Sequence, residues 1–349
     1  MNINSLFDNL NPNKKTFIIG EVGSNHNLNK DTVKELIINC RKANFDSVKF
    51  QIYDAEEAFS KNEKVSDVNL LNYYKEGPWW KVARDSILMP RDWFKEMFDF
   101  SNKNNLLPIC TVHREEDAYF LDKLGINIFK IASIDMNYKY LLKKLIKFDK
   151  PLIISTGMSL INEIADTVDF LRSNNFNKFN LLHCVSQYPP KFEEQNLFNI
   201  PMLKKTFDVN VGYSDHSEGY LSSVIAVTLG AKIIEKHITL DKKYPGPDHP
   251  FALELNEMKD LQKNIRLTEK SLGSFSKKIS TNEYAARKMI RRSIILKKDL
   301  KKGQKLKLSD VKFARPGTGI NPNYFDLIEG RRCKRNIKAE TIIDLDMFE

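Results

Sequence analysis

Residues 211–249 read VGYSDHSEGYLSSVIAVTLGAKIIEKHITLDKKYPGPDH. Two short apolar runs, Val209–Tyr213 and Lys232–Glu235, flank a helical stretch. The first run ends in Ser214-Asp215-His216 and the second in Glu235-Lys236-His237. Two strands joined by a helix make a βαβ unit with parallel strands. His216 and His237 then leave the same edge of one sheet, where two imidazoles can share a divalent metal. Taken singly, each is an ordinary hydrogen-bonded loop histidine. The case for a metal pair rests on what the rest of the chain places beside them.

Six further apolar runs precede these two. They are Thr16–Gly20, Ser47–Phe50, Leu106–Cys110, Asn127–Ile131, Pro151–Ile154 and Asn180–Leu182. Between them lie segments with helical periodicity; in residues 29–44, Val33, Leu36, Ile37 and Cys40 share one face. The exception is Tyr53–Pro90, a long polar and aromatic insertion holding Tyr73-Tyr74 and Trp79-Trp80. Eight strands alternating with helices over about 250 residues match a (β/α)8 barrel. Runs that are apolar nearly throughout fit strands buried on both faces.

Each run closes on polar residues: Glu21, Lys49 and Gln51, Thr111, Lys130 and Ser133, Ser155, Ser186, Ser214 and His216, Glu235 and His237. In this fold the C-terminal ends of the strands carry the active site. Lys49 and Lys130 bring positive charge, and Thr111, Ser133, Ser155 and Ser214 bring small hydroxyls. Such a set suits a phosphate and a carboxylate held together, as in a small phosphorylated acid. Glu21 is a candidate acid or base. A single barrel lysine can equally pair with a neighbouring carboxylate, and a single serine can simply bond near a strand end.

The net charge of +10 is compatible with nucleic acid or with small anionic substrates. The lysines are spread along the chain and no nucleic-acid-binding motif is present, so a small anion is favoured. No apolar run is long enough to span a bilayer. The start, MNINSLFDNLNPNKK, lacks the apolar core of a secretion signal, which makes a cytoplasmic chain the expectation. Cys40, Cys110, Cys184 and Cys333 form no CxxC pair and are expected to be free thiols.

Several segments together resemble the sialic acid synthase family. They are residues 21–27 (EVGSNHN), 48–51 (VKFQ), 130–133 (KIAS), 155–158 (STGM), 213–216 (YSDH), 235–237 (EKH) and 245–248 (PGPD). Residues 298–306 and 335–343 form a pseudo-repeat, and with the turn at 315–319 (RPGTG) they resemble the antifreeze-like SAF domain that ends these synthases. The organisation implied is a barrel over residues 1–265, a linker over 266–291 and a small β-rich SAF domain over 292–349.

The resemblance implies condensation of phosphoenolpyruvate with an N-acylated sugar aldehyde. The acceptor is N-acetylmannosamine or a 2,4-diacetamido hexose, and phosphate leaves by C–O cleavage. By that resemblance, Lys49, Thr111, Lys130, Ser133, Ser155 and Ser214 hold phosphoenolpyruvate. His216 and His237 hold manganese or magnesium. Glu21, Gln51, Ser186, Tyr188 and Asp248 face the sugar or the developing charge, and Glu21 or Asp135 stabilises the cationic centre. The chain departs from the family in having Asp135 where Glu is commoner, Ser186 where Asn is common, and the 53–90 insertion. A homodimer is implied in which the SAF domain caps the partner's site through Arg315. Two other readings are a deoxyoctulosonate-type synthase, which the SAF-like tail disfavours, and a non-catalytic carbohydrate-binding protein. A metal-dependent hydrolase would want further ligands, and no HxH or HExxH spacing is present.

Overall fold

The computed structural model describes residues 15–274 and 276–349. The amino-terminal stretch inspected for a secretion signal lies outside them, apart from Lys15. The chain divides into two compact units, one ending at Gly273 and the other beginning at Ser274. Among the described residues, no helix is long and apolar enough to cross a membrane.

In the first unit eight parallel strands close into a barrel in chain order. They are β1 (Phe17–Glu21), β2 (Ser47–Gln51), β3 (Leu107–Thr111), β4 (Phe129–Ile131), β5 (Leu152–Ser155), β6 (Phe179–Cys184), β7 (Val211–Asp215) and β8 (Ile233–His237). The helices are α1 (Lys30–Lys42), α2 (Ala55–Ala58), α3 (Trp79–Ser86), α4 (Trp93–Lys103), α5 (Glu115–Lys123), α6 (Lys139–Leu145), α7 (Ile161–Ser173), α8 (Asn199–Phe207), α9 (Leu221–Thr228) and α10 (Leu255–Leu272). Helix starts follow local chemistry: Asn29 caps α1 by accepting the Asp31 and Thr32 amides.

Side chains alternate across a strand, and this period of two builds the site. Phe17 and Ile19 of β1, Ile109 of β3, Ile153 of β5, Leu182 of β6 and Ile233 of β8, with Ile128 just before β4, pack together as one apolar layer inside the barrel. Two residues further on, the same inward parity gives Glu21, Thr111, Lys130, Ser155, Cys184 and Glu235. The intervening residues, such as Ile18, Val48, Phe129, Ile154 and Ile234, point outward into the larger core beneath the helices. The barrel is thus closed by hydrocarbon below and lined by polar groups above. Asp215 and Lys236, of outward parity, form a fully buried ion pair at 3.2 Å. Asp215 also accepts from Ser217 and Ser223.

The 53–90 insertion is ordered. Val65, Trp79 and Ala83 form a small core with Phe59 and Tyr74 packed against it. Trp80 lies outside that cluster, its ring flanked by Lys61, Lys81 and Arg84.

The second unit contains α11 (Thr281–Ile290) and an antiparallel pair, β9 (Ser293–Leu296) and β10 (Val311–Ala314). Its pseudo-repeat has a structural counterpart. Leu300 and Ile337, equivalent positions 37 apart, bridge each other through reciprocal backbone hydrogen bonds of 2.9 and 2.8 Å. The equivalent side chains Asp299 and Asn336 each accept an amide from the opposite copy, Ala339 and Lys302, both at 2.8 Å. Leu306 and Ile343, also equivalent, are buried in that unit's core. A two-copy motif joined at matching positions explains how so short a segment builds a core of its own.

Candidate active site

A cavity of about 370 Å³ opens at the C-terminal ends of the strands. Lys49, Gln51, Thr111, Lys130, Ser133, Ser155, Ser186, Tyr188, Ser214, His216, His237 and Asp248 all line it. Glu21 lies fully buried beneath Lys49 and Gln51. A larger hollow of about 540 Å³ adjoins it through Met158, Cys184 and Ser186, but it lacks the lysines and the histidine pair.

Four buried charges alternate across the floor. Lys49 lies 2.9 Å from Glu21 and 3.5 Å from Glu235, and Lys130 lies 3.9 Å from Glu235. Lys49 donates to Thr111 Oγ1 (3.1 Å), Lys130 to Ser155 Oγ (2.5 Å) and Ser214 to Glu235 Oε1 (2.9 Å). Gln51 donates to Glu21 at 2.5 Å. Burial opposes ionisation of Glu235, yet Lys130 and Lys49 override it and hold the carboxyl down at about 2. Glu21 is pushed up, first by burial and then by the charge of Glu235, against the pull of Lys49. The lysines diverge for a geometric reason. Lys49 has two carboxylates within 3.5 Å and is held up despite burial, whereas Lys130, facing one at 3.9 Å, is pulled down by burial.

The two histidines stand with ring centroids 5.4 Å apart, bordered by Tyr188 and Phe251. His216 Nδ1 lies 2.9 Å from the Val185 carbonyl, which can only accept, so Nδ1 carries a proton. Burial opposes the charged ring, but Cys184, with Sγ 3.8 Å from the same nitrogen, and the Val185 carbonyl hold it above its ordinary value. His237 is drawn down to about 4 by burial and is neutral near pH 7. Its Nδ1 is buried without a hydrogen bond, 3.6 Å from Asp248. Asp248 is fixed in turn by the Ser24 hydroxyl at 3.0 Å. Among the described residues, no group of three or more His, Cys, Asp or Glu is placed to hold a metal.

Gly157 explains the STGM segment. Its amide donates to Ser133 Oγ at 3.0 Å, and an added Cβ there would collide with the Ser133 and Ser186 hydroxyls.

Asp135 is not among the residues that line the cavity. Its carboxylate meets His113 Nδ1 at 2.5 Å, and the Tyr53 ring stacks on His113 with centroids 3.8 Å apart. Arg315 belongs to the second unit. From the sequence, Glu235 is named at the end of its strand but given no role, and Cys184 and His113 are not named as site residues at all. For Glu235 the signal was present: it shares inward parity with His237, two residues on. The pairing of His113 with Asp135 has no signature in spacing.

Residues 36–277 match the NeuB family and residues 291–349 the SAF domain. The N,N'-diacetyllegionaminic acid synthase of Campylobacter jejuni is 36% identical, covering 95% of this chain and 99% of its own. The pseudaminic acid synthase of the same species is 31% identical over 95% of this chain and 96% of its own. The crystal structure of the spore coat polysaccharide biosynthesis protein SpsE of Bacillus subtilis superposes with a TM-score of 0.64 at 33% identity, covering 96% of this chain and 95% of that one. With the family model matched over most of the chain and synthases among its relatives, the chain belongs to the NeuB family, with a SAF domain over residues 291–349.

Proposed function

We propose that the protein condenses phosphoenolpyruvate with an N-acylated sugar aldehyde to give a nonulosonic acid and inorganic phosphate. The observation that carries this is the pair of buried lysines with their hydroxyl partners, set beside two histidines in one cavity. Phosphate release that requires both phosphoenolpyruvate and a non-phosphorylated acceptor tests it. Candidate acceptors are N-acetylmannosamine and 2,4-diacetamido hexoses, with the product mass read by spectrometry. Release with arabinose 5-phosphate alone would point instead to a deoxyoctulosonate-type synthase. Absence of turnover with every acceptor would favour a carbohydrate-binding protein.

Lys49 and Lys130 take up the phosphate and carboxylate, assisted by Thr111, Ser133, Ser155 and Ser214. C3 of phosphoenolpyruvate bonds to the aldehyde carbon, and the aldehyde oxygen takes a proton to become a hydroxyl. Positive charge develops at C2, where the buried Glu21 and Glu235 carboxylates face it across Lys49. Water adds at C2 and gives up a proton, for which Glu21, already raised by burial, is the fitting acceptor. The C2–O bond to phosphate then breaks: phosphate leaves with the bonding pair and takes up a proton as the C2 hydroxyl gives up its own to become the ketone.

The residues present fit a divalent metal. His216 Nδ1 is taken by the Val185 carbonyl, which leaves Nε2 as the nitrogen for a metal, and His237 Nδ1 is buried with no hydrogen-bond partner. Bound to those two histidines, manganese or magnesium would polarise the aldehyde carbonyl as a Lewis acid.

The active assembly is proposed to be a homodimer in which Arg315 of one chain completes the sugar site of the other. Mixing two inactive variants, His237→Ala and Arg315→Ala, is then expected to restore activity after subunit exchange. A mixed dimer would have one site carrying both lesions and one carrying neither. No rescue, with exchange shown by mass, would mean that Arg315 serves its own chain.

A further inference from the structure

His216 and His237 stand just past the last rung that joins their strands. The β7–β8 ladder pairs Tyr213 with Ile234, Ser214 with Glu235 and Asp215 with Lys236, and each histidine follows that final pair. Backbone pairing between β7 and β8 therefore stops short of the two imidazoles, whose ring centroids lie 5.4 Å apart. His237 is held from its other side, by its rung with Glu21 of β1 and by the Leu253 amide on its carbonyl at 2.9 Å. His216 lies where β7 gives way to a loop.

Lys236 bridges that gap. Its Nζ lies 3.2 Å from Asp215 Oδ1 and donates to the Ser217 carbonyl. The residues before and after His216 are thus tied to one ammonium, and that ammonium belongs to the residue before His237. Asp215 tightens the same turn, accepting from the Ser217 amide at 2.8 Å and its hydroxyl at 2.6 Å, and from Ser223 of α9 at 2.5 Å. Asp215 and Lys236 are both fully buried.

Barrel closure does not ask for charge at this level. The last outward residues of β2, β3, β4 and β5 are Phe50, Cys110, Ile131 and Ile154, all part of the core beneath the helices. A buried ion pair adds little net stability over apolar residues of the same volume. What this pair supplies that hydrocarbon would not is direction: it fixes one strand end against the other.

We infer that Lys236 is a positioning residue: with His216 and His237 as metal ligands, as proposed above, its tether through Asp215 and Ser217 sets the spacing of the two imidazoles.

The test compares two variants of the full-length protein. Asp215→Asn removes the carboxylate charge and leaves Lys236 donating to Ser217. Asp215→Asn combined with Lys236→Met removes the tether as well and leaves no unpaired buried charge. Mn2+ affinity is read by electron paramagnetic resonance without substrate, phosphoenolpyruvate affinity by calorimetry in EDTA, and folding by the thermal midpoint. Asp215→Asn is expected to bind Mn2+ as the wild type does. The double variant is expected to bind it about 10-fold more weakly, the low end for groups that orient metal ligands. Its phosphoenolpyruvate affinity is expected to be unchanged, because Lys49 and Lys130 stand on β2 and β4. Loss of both affinities together would mark a general loosening of the barrel mouth and overturn the positioning role. Equal Mn2+ affinity in the two variants overturns it as well. A wild-type protein that binds no Mn2+ overturns the metal reading, and the positioning role falls with it. Should the double variant not fold, hydrogen exchange in the wild type decides. The Ser217 amide is expected to exchange as slowly as the amides of β7, and exchange at the rate of an open loop overturns the tether.

Discussion

Excess EDTA is expected to abolish turnover, and Mn2+ or Mg2+ to restore it. The expectation comes from two imidazoles at the ends of β7 and β8, one with its Nδ1 held by the Val185 carbonyl and one with an orphaned buried nitrogen. A buried polar atom without a partner costs free energy, and a metal would remove that cost at His237. Among the described residues no group of three or more His, Cys, Asp or Glu is placed to hold a metal. With two histidines as the metal's side-chain ligands, water or substrate oxygens would complete the coordination, so chelator should compete readily. His237→Ala is expected to lose Mn2+ binding, read by electron paramagnetic resonance in the absence of substrate. It should keep its circular dichroism, because the β8 backbone ladder is untouched. Full activity in excess EDTA, or unchanged Mn2+ binding by the variant, would sink the metal assignment.

The barrel was legible because each strand carries its own switch from hydrocarbon to polar residues. In β1 the run FII precedes Glu21, and in β5 the run LII precedes Ser155. Where the switch comes before the strand ends, the boundary moved. The apolar run put the seventh strand at 209–213, whereas β7 is Val211–Asp215. Asp215 stays in the ladder because its outward side chain has a buried partner in Lys236, an interaction that no local pattern carries. The same limit explains the site. Candidates lying on strand ends converged on one cavity, because eight strands of a closed barrel deliver their ends to one face. Asp135 lies on the turn after β4, Ser133–Asp135, and found His113 instead. Contacts between residues 22 apart on different loops depend on side-chain direction, which periodicity does not report. The insertion was the least legible part. Its core depends on Val65 meeting Trp79 and Ala83, residues on two separate elements with no common period.

Replacing Lys130 by methionine is expected to cost on the order of 10- to 100-fold in phosphoenolpyruvate affinity or in kcat/KM. Methionine keeps the length and removes the charge. A hydrogen bond to a charged group is worth roughly 1.5–3 kcal/mol, which is about that range. A second consequence separates this lysine from a bystander. Glu235 is held at about 2 by Lys130 and Lys49 against burial, far below its ordinary 4.5. A depressed carboxyl contributes stability that is present above its unfolded value and is lost as the pH falls through the folded one, here from about 4.5 towards about 2. Removing Lys130 leaves Glu235 with Lys49 alone, so its pKa rises and that reserve shrinks. Acid unfolding of Lys130→Met, followed by circular dichroism, should therefore begin at a higher pH than in the wild type. Glu21, whose pKa is raised, acts with the opposite sign, but it pairs with Lys49 rather than Lys130 and largely cancels between the two proteins. Calorimetric phosphoenolpyruvate affinity equal to that of the wild type, with an unmoved acid transition, would mean that Lys130 neither holds the substrate nor governs Glu235.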